Sequence, residues 1–384
     1  LTPLAVYIHW PYCARVCPYC DFNVVRDRGQ SEQAALSEAI VRDLEGQAAM
    51  LGPRTLVSIF FGGGTPSLMA PVQVARIIEA ARRLWPAPAG AAVEVSLEAN
   101  PTDAEARRFA GFADAGVNRL SLGVQAFDDE ALRRLGRNHD AAEARRAATL
   151  ARSHFERLSI DLIYALPAQT PEGWAGEIRA ALAFSPDHLS PYQLTIEPGT
   201  AFNRAVRRGT LVPPGVDAAA VLYETTQAVL SGAGFDAYEV SNHARGAAAR
   251  SRHNLAYWRG EDYVGAGAGA HGRLTTAGGR LATVAALKPA DYIAAVSRTG
   301  VGFATTEMLT AREAALERLL MGLRIDEGVA WGDLAALGLC RSNRTVRELA
   351  DLELVSLDAG RLIATSSGRA VLDRVIAELA HAGH

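Results

Sequence analysis

The sequence predicts an α/β protein whose largest part is an open, partial barrel of parallel βα units, followed by a mixed α+β extension and a small helix-rich C-terminal unit. Three observations carry that expectation. Up to about residue 200, short β-rich runs alternate with amphipathic stretches, the pattern of parallel βα units rather than of hairpins. The residues with the most distinctive chemistry fall just after the runs that read as strands, where parallel barrels hold their ligands. From Thr310 onward the pattern turns helical. The divisions that follow are 1–235, 236–308 and 309–384.

The expected strands are Ala5 to His9, Leu56 to Phe61, Ala92 to Glu98, Arg119 to Val124, Leu158 to Tyr164 and His188 to Ile196, six βα units in all. Between them, Ser31 to Leu51, Pro71 to Trp85, Asp103 to Ala115, Asp140 to His154 and Pro171 to Phe184 read as amphipathic helices. Several carry start signals: Ser31 before Glu32, Thr102-Asp103 ahead of Glu105, and Thr170-Pro171 with proline in the first turn, where its missing N–H is not needed. A further helix is expected over 217–233.

The extension holds Tyr238 to Asn242, then Arg252-His253-Asn254-Leu255-Ala256-Tyr257-Trp258, then a glycine run at Gly265, Gly267 and Gly269 that leads to His271. The run is spaced G-x-G-x-G and lacks the dinucleotide fingerprint, so close backbone packing is its expected role. In the tail, a helix over Arg344 to Asp351, strands at Leu354 to Leu357 and Arg361 to Ala364, and a turn at Asp358-Ala359-Gly360 resemble a winged-helix module. Acidic Glu348 and Asp351 on the would-be recognition helix weigh against nucleic acid as a partner.

Composition bounds the rest. A chain of 384 residues, 49% hydrophobic and 21% charged, has enough apolar material for a sizeable core plus appendages. The formal net charge of -3 and the lack of a basic stripe exclude a protein that grips nucleic acid by bulk charge. Lys288 is the only lysine, which reads as coding bias rather than as phosphate recognition. No apolar run reaches the roughly 18 residues of a membrane span. The start, Leu1 to Val6, lacks a charged leader and an initiator Met, so a short upstream segment is expected outside this sequence. Four cysteines without a disulfide framework point to a reducing, cytoplasmic setting.

Three of those cysteines, Cys13, Cys17 and Cys20, lie within eight residues, and Cys340 is the fourth. An odd cluster cannot close on itself as disulfides, yet three thiolates on one loop can hold three irons of a four-iron cluster and leave the fourth open to a ligand. Two other readings start from the same residues: a redox pair at Cys17 and Cys20, and a zinc site completed by His9. The first leaves Cys13 unexplained. The second needs His9 to leave a strand whose pleat fixes its direction. The barrel-mouth segments Gly62-Gly63-Gly64-Thr65-Pro66, Glu98 with Asn100-Pro101, Gln125 and Asp161 are unexplained by either.

C-x-x-x-C-x-x-C after the first strand and G-G-G-T-P after the second resemble the radical S-adenosylmethionine superfamily. The stretches Y-I-H-W-P-Y-C, F-F-G-G-G-T-P-S-L, S-L-E-A-N-P, N-R-L-S-L-G-V-Q-A-F and S-I-D-L-I-Y-A-L-P extend the similarity, over nearly the whole chain, to the oxygen-independent coproporphyrinogen III oxidase family. C-P-Y-C-D-F and H-N-L-A-Y-W resemble its heme chaperone branch. The resemblance implies a [4Fe-4S] cluster on Cys13, Cys17 and Cys20, with S-adenosylmethionine on the open iron and a cellular electron donor for the cluster. It implies that Tyr7, Gly63, Gly64, Thr65, Glu98, Gln125, Arg137 and Asp161 line the S-adenosylmethionine site. Their chemistry suits it: a planar Arg137 fork for a carboxylate, acids for amine and ribose groups, and glycines where the backbone must approach the methionine amine.

Two departures weigh against the oxidase reading: Phe22 stands where the oxidases have a further cysteine, and only twelve residues precede Cys13. The reading is therefore a cytoplasmic heme chaperone that binds heme and passes it to acceptor proteins, with coproporphyrinogen III oxidation as the alternative and a zinc or dithiol protein as the remote one. Whether the chain turns over as an enzyme is left open. Association with a membrane surface would be transient and through the acceptors. His253 offers an imidazole to heme iron, with Tyr257 and Trp258 as a flat apolar surface, and His271 is a weaker candidate.

Overall fold

The computed structural model describes residues 1–27, 29–358 and 360–382. One sheet of twelve strands organises the larger part. Its strands in chain order are β1 Pro3–Trp10, β2 Thr55–Gly63, β3 Glu94–Ala99, β4 Arg119–Gln125, β5 Arg157–Tyr164, β6 His188–Gln193, β7 Asp236–Glu239, β8 Asn242–Ala244, β9 Asp262–Ala266, β10 His271–Thr276, β11 Gly279–Ala285 and β12 Phe303–Met308. Across the sheet they run 12-11-10-9-1-2-3-4-5-6-8-7. Strands β9 and β1 to β6 are parallel neighbours, and antiparallel strands extend both edges. This is the expected open, partial βα barrel with its C-terminal unit, and the six expected strands form its run β1 to β6.

Alternation divides each strand into two faces. Leu4, Val6 and Ile8 on β1, Ile59 and Phe61 on β2, Val95 and Leu97 on β3 and Leu120 and Leu122 on β4 are fully buried in the main apolar core. Helices cover that face. In α1, Gln30–Leu51, the core residues are Leu36, Ile40 and Leu44; in α2, Pro71–Leu84, they are Val74, Ile77, Ile78 and Ala81. This i, i+3, i+4, i+7 stripe is what amphipathic helices offer a sheet, and each buried leucine or isoleucine contributes about 1.5–3 kcal/mol. The alternate positions are mostly polar, Ser58, Ser96, Glu98, Arg119, Ser121, Ser159, Asp161, His188 and Ser190, with the Tyr7 and Phe60 rings among them. They give the barrel a mostly polar interior.

Several boundaries differ from expectation. The helix expected over Asp103 to Ala115 is two short ones, Asp103–Ala106 and Phe109–Asp114. The break tightens at Arg108, whose N–H bonds Glu105 O at 2.9 Å while its guanidinium reaches the carbonyls of Ser67 and Leu68. The sixth strand stops at Gln193, not Ile196, and the third begins at Glu94, not Ala92. Residues 236–308 build no layer of their own: β7 and β8 extend one edge of the sheet, and β9 to β12 the other. The glycine run packs closely, as expected. A Cβ on Gly267 would meet His9 O, and one on Gly269 would meet the Asn23 side chain.

The C-terminal unit has its own core of Leu319, Leu323, Val346, Val355, Leu362, Val375 and Leu379. Its small antiparallel sheet, in the order Val329–Ala330, Arg361–Ala364, Val355–Leu357, packs with helices Ala311–Gly322, Arg344–Asp351 and Leu372–His381. Ala359, in the expected turn, lies outside the described residues, as do residues 383 and 384. Among the described residues, no helix is long and apolar enough to cross a membrane.

Candidate functional site

The C-terminal ends of β1 to β5 share one rim, and a cavity of about 1060 Å³ opens there. The chain leaving β1 forms a two-residue parallel pair, Tyr12–Cys13 with Val25–Arg26, which clamps the root of the cysteine loop. Backbone bonds tie that loop to the one after β2: Gly64 N–H to Trp10 O at 2.7 Å and Thr65 N–H to Tyr12 O at 2.8 Å. Cys13, Cys17 and Cys20 are free of disulfides and all line the cavity. Thr65 Oγ1 donates to Cys13 Sγ at 3.5 Å, and Arg137 Nη1 lies 3.5 Å from Cys17 Sγ.

Burial pushes the Cys13 thiol up to about 11 and raises that of Cys20. A bound cation reverses that cost, because a metal deprotonates the thiols that ligate it. Among the described residues, no three His, Cys, Asp or Glu side chains gather as ligands of a single ion.

Arg137 follows the turn after helix Asp129–Arg134 and is held by Gly123 O at 3.0 Å and by Asn100 Oδ1. Its buried Nε has no partner among the described residues. Asn100 also donates to Thr65 Oγ1 at 3.2 Å, and its own N–H bonds Glu105 at 2.9 Å. One amide thus links the guanidinium, the threonine and the cysteine loop. Gln125 ends β4 with φ at 67°, left-handed backbone that an L side chain adopts only under strain, and its buried Oε1 has no partner. A strained residue with an unpaired acceptor in a cavity lining is a common mark of a binding site.

Glu98 accepts from Gly63 N–H at 3.2 Å. Burial, and then the neighbouring Asp161, push its carboxyl up to about 8. Asp161 is raised chiefly by burial, although Ser121 Oγ donates to it at 2.8 Å. Neither acid makes an ion pair among the described residues, although the Arg119 charge acts on Asp161, and a cationic ligand group would be welcome there.

Of the residues picked from sequence, Cys13, Cys17, Cys20, Gly63, Gly64, Thr65, Glu98, Gln125, Arg137 and Asp161 line this one cavity. Tyr7 does not. Its hydroxyl lies 3.0 Å from His9 Nδ1, inside the barrel. His253 is not brought to the cavity either, which corrects its expected place as an open heme ligand. Helix Arg252–Trp258 plugs the opposite end of the barrel. There the His253 ring is 1% exposed, bonds Ser58 Oγ at 3.1 Å and stacks on Phe60, and burial holds it neutral, down to about 3. His271 begins β10 at the sheet's extension, away from the cavity lining.

The glycines, which line the cavity, have a second reason. A Cβ on Gly63 would sit 2.6 Å from the His9 ring, and one on Gly64 2.7 Å from Tyr12 O, so loop packing alone demands them. Asn100 was placed at the mouth by sequence but its bridging role was not legible. Tyr192, Tyr223 and Arg369, which complete the cavity wall, were missed. Only Tyr192 carried a signal, by alternating with Ser190 on an inward face.

A parallel βα barrel with three free thiols and unpaired polar atoms around its mouth defines a class that sequence profiles name. The Radical SAM superfamily profile matches residues 7–180, and that of the HemN C-terminal domain matches 309–371. The chain is 41% identical to Radical S-adenosyl methionine domain-containing protein 1, mitochondrial, of Mus musculus, over 98% of this chain and 87% of the relative. It is 42% identical to Heme chaperone HemW of Escherichia coli, over 73% of each chain. Against Heme chaperone HemW of Mycobacterium tuberculosis it is 36% identical, over 98% of this chain and 95% of the relative. The solved structure of coproporphyrinogen III oxidase (HemN) from Escherichia coli superposes with a TM-score of 0.79 at 23% identity, covering 98% of this chain and 90% of that one, a likeness of fold. The chain belongs to the radical SAM superfamily and, within it, to the family of the heme chaperone HemW.

Proposed function

We propose that this chain is a cytoplasmic heme chaperone that carries a [4Fe-4S] cluster and S-adenosylmethionine at the barrel mouth and delivers heme to acceptor proteins. The observation that carries the reading is the convergence of three free thiols with Arg137, Gln125, Glu98 and Asp161 on one cavity. The names of the relatives at 36–42% identity support the heme function. Cys13, Cys17 and Cys20 would hold three irons. When bound, such a cluster supplies single electrons to the sulfonium of S-adenosylmethionine, and a cellular reductant would recharge it.

The chain's own residues orient the ligand. Arg137 presents its unpaired Nε edge for a carboxylate, Gln125 presents an acceptor, and Glu98 and Asp161 accept amine or hydroxyl donors. Asn100 fixes the guanidinium and Thr65 in register with the thiols.

Anaerobic reconstitution followed by iron analysis, heme titration and an assay with coproporphyrinogen III tests the reading. Four irons per chain, saturable heme binding and no decarboxylation at catalytic turnover are expected. Turnover to protoporphyrinogen would assign the oxidase activity instead, and stoichiometric zinc without iron would remove the cluster.

A further inference from the structure

The cavity has room beyond the cysteine loop. Pockets for drug-sized molecules typically span about 300–1,000 Å³, and this one, at about 1060 Å³, stands at the top of that range and reaches from the cysteine loop to the C-terminal unit. Its two ends differ in chemistry. The cysteine end is polar and lies after β1. The far end lies by β6 and the C-terminal unit, across the barrel mouth.

At that far end exposed apolar side chains stand among charged ones, Glu197, Glu224 and Asp373 included. Val216 opens helix Val216–Gly232 at 86% exposure, Val371 precedes the last helix at 45%, and Tyr192 is 41% exposed. Tyr223 lines the same space. Apolar side chains left open on facing walls of a cavity mark an occupant that covers them. Cations on this wall are not equivalent. Arg324 is paired with Glu239 at 2.6 Å and Arg374 with Glu378 at 2.5 Å. Arg369 is half-buried, and its guanidinium bonds only the carbonyl of Ala237, at 3.1 Å, with no carboxylate in reach among the described residues.

We propose that this far end is the seat of the heme cargo, its flat ring between Val216, Val371 and the two tyrosines and a propionate carboxylate on Arg369. The proposal rests on the heme-chaperone reading and moves the cargo from His253 to the compartment beside the cluster. A planar apolar body with an anionic edge matches exposed valines and tyrosines beside one guanidinium that no carboxylate pairs. It also sets cargo and cofactor in one cavity, so a change at the cysteine loop can be felt by the heme.

Heme titration followed by visible absorption on the full chain, prepared without the cluster, tests this in R369A, R369K, V371E and H253A. Val371 is exposed, so V371E keeps the fold even where another variant does not. Heme should bind R369A about tenfold more weakly than wild type, the loss of one charge-assisted hydrogen bond, with partial rescue in R369K. Heme dimethyl ester, lacking the carboxylates, should bind wild type and R369A alike. V371E should weaken both ligands and H253A neither, while iron content after reconstitution stays unchanged in R369A. Wild-type heme affinity in both R369A and V371E, or a specific loss in folded H253A, overturns this seat and leaves heme binding intact. No saturable heme binding by wild type overturns the chaperone reading itself.

Discussion

Glu94 and Glu98 stand four residues apart on one strand, face the same barrel interior, and meet opposite conditions. Glu94, at the closed end, is 1% exposed, paired with Arg157 at 2.8 Å, and accepts the His253 N–H at 3.1 Å from the plugging helix. Glu98, at the open end, has one backbone N–H and an acidic neighbour, and its carboxyl is pushed up to about 8. The closed end pairs its acid with a cation and a backbone N–H, although Ser96 Oγ and His253 Nε2 there are buried without a partner. The open end holds its acid in reserve, and the unpaired Nε of Arg137 and Oε1 of Gln125 belong to the same reserve. One barrel interior thus serves as a stabilising plug at one end and as a ligand site at the other.

The comparison breaks most visibly at the thiols. Substituting Cys13, Cys17 or Cys20 with alanine should abolish stable cluster assembly, seen as loss of iron and of the broad visible absorption, while the melting temperature of the metal-free chain moves little. The next effect runs the other way. Arg157→Ala leaves Glu94 buried without a cation and should destabilise the chain by about 3–5 kcal/mol, measured by urea unfolding. Iron uptake by the folded fraction should be unchanged. A cysteine variant that unfolds, or an Arg157 variant that folds but cannot load iron, would merge the two ends into one unit.

Much of the open end was legible because parallel barrels put function at strand ends, and strands announce themselves by alternation. Cys13 to Cys20, Gly63 to Thr65, Glu98 and Gln125 follow from that rule, while Asp161 was read within the fifth strand, where it lies. The closed end was not legible. His253 lies 195 positions from Ser58, and nothing local to H-N-L-A-Y-W says that its helix turns into a barrel rather than toward solvent. The far wall failed for the same reason: Arg369 meets Ala237 across 132 positions. Helix Asp103 to Ala115 was drawn as one piece because the break at Arg108, with its contacts to Ser67 and Leu68, is not encoded by helical periodicity.

A smaller effect sharpens the comparison through pH. Glu98 has a folded pKa of about 8 against an ordinary 4.5. The folded chain therefore binds its proton more tightly than the unfolded one. Stability from this group is complete below pH 4.5 and is lost as the pH climbs towards 8. Glu98→Gln should flatten that decline, leaving the residue of slope that belongs to Asp161, and should be more stable than wild type at pH 8. Binding of cationic S-adenosylmethionine favours the ionised carboxylate, so calorimetry at pH 7 in buffers of different ionisation enthalpy should show proton release in wild type and less in the variant. Equal release in both would place the cation elsewhere.

The smallest effect concerns backbone. Gln125 holds φ at 67°, a conformation that costs a side-chain-bearing residue about 1–2 kcal/mol. Gln125→Gly relieves that strain but gives the unfolded chain more freedom, a loss of about 0.4–1 kcal/mol. The net gain in stability should be about 1 kcal/mol or less, read from the midpoint of urea unfolding. Affinity for S-adenosylmethionine should fall in the same variant, because the Oε1 acceptor is gone. Strain that is released by the change that weakens binding is strain kept for the ligand, whereas Gln125→Gly with unchanged affinity would make this bend a matter of folding alone.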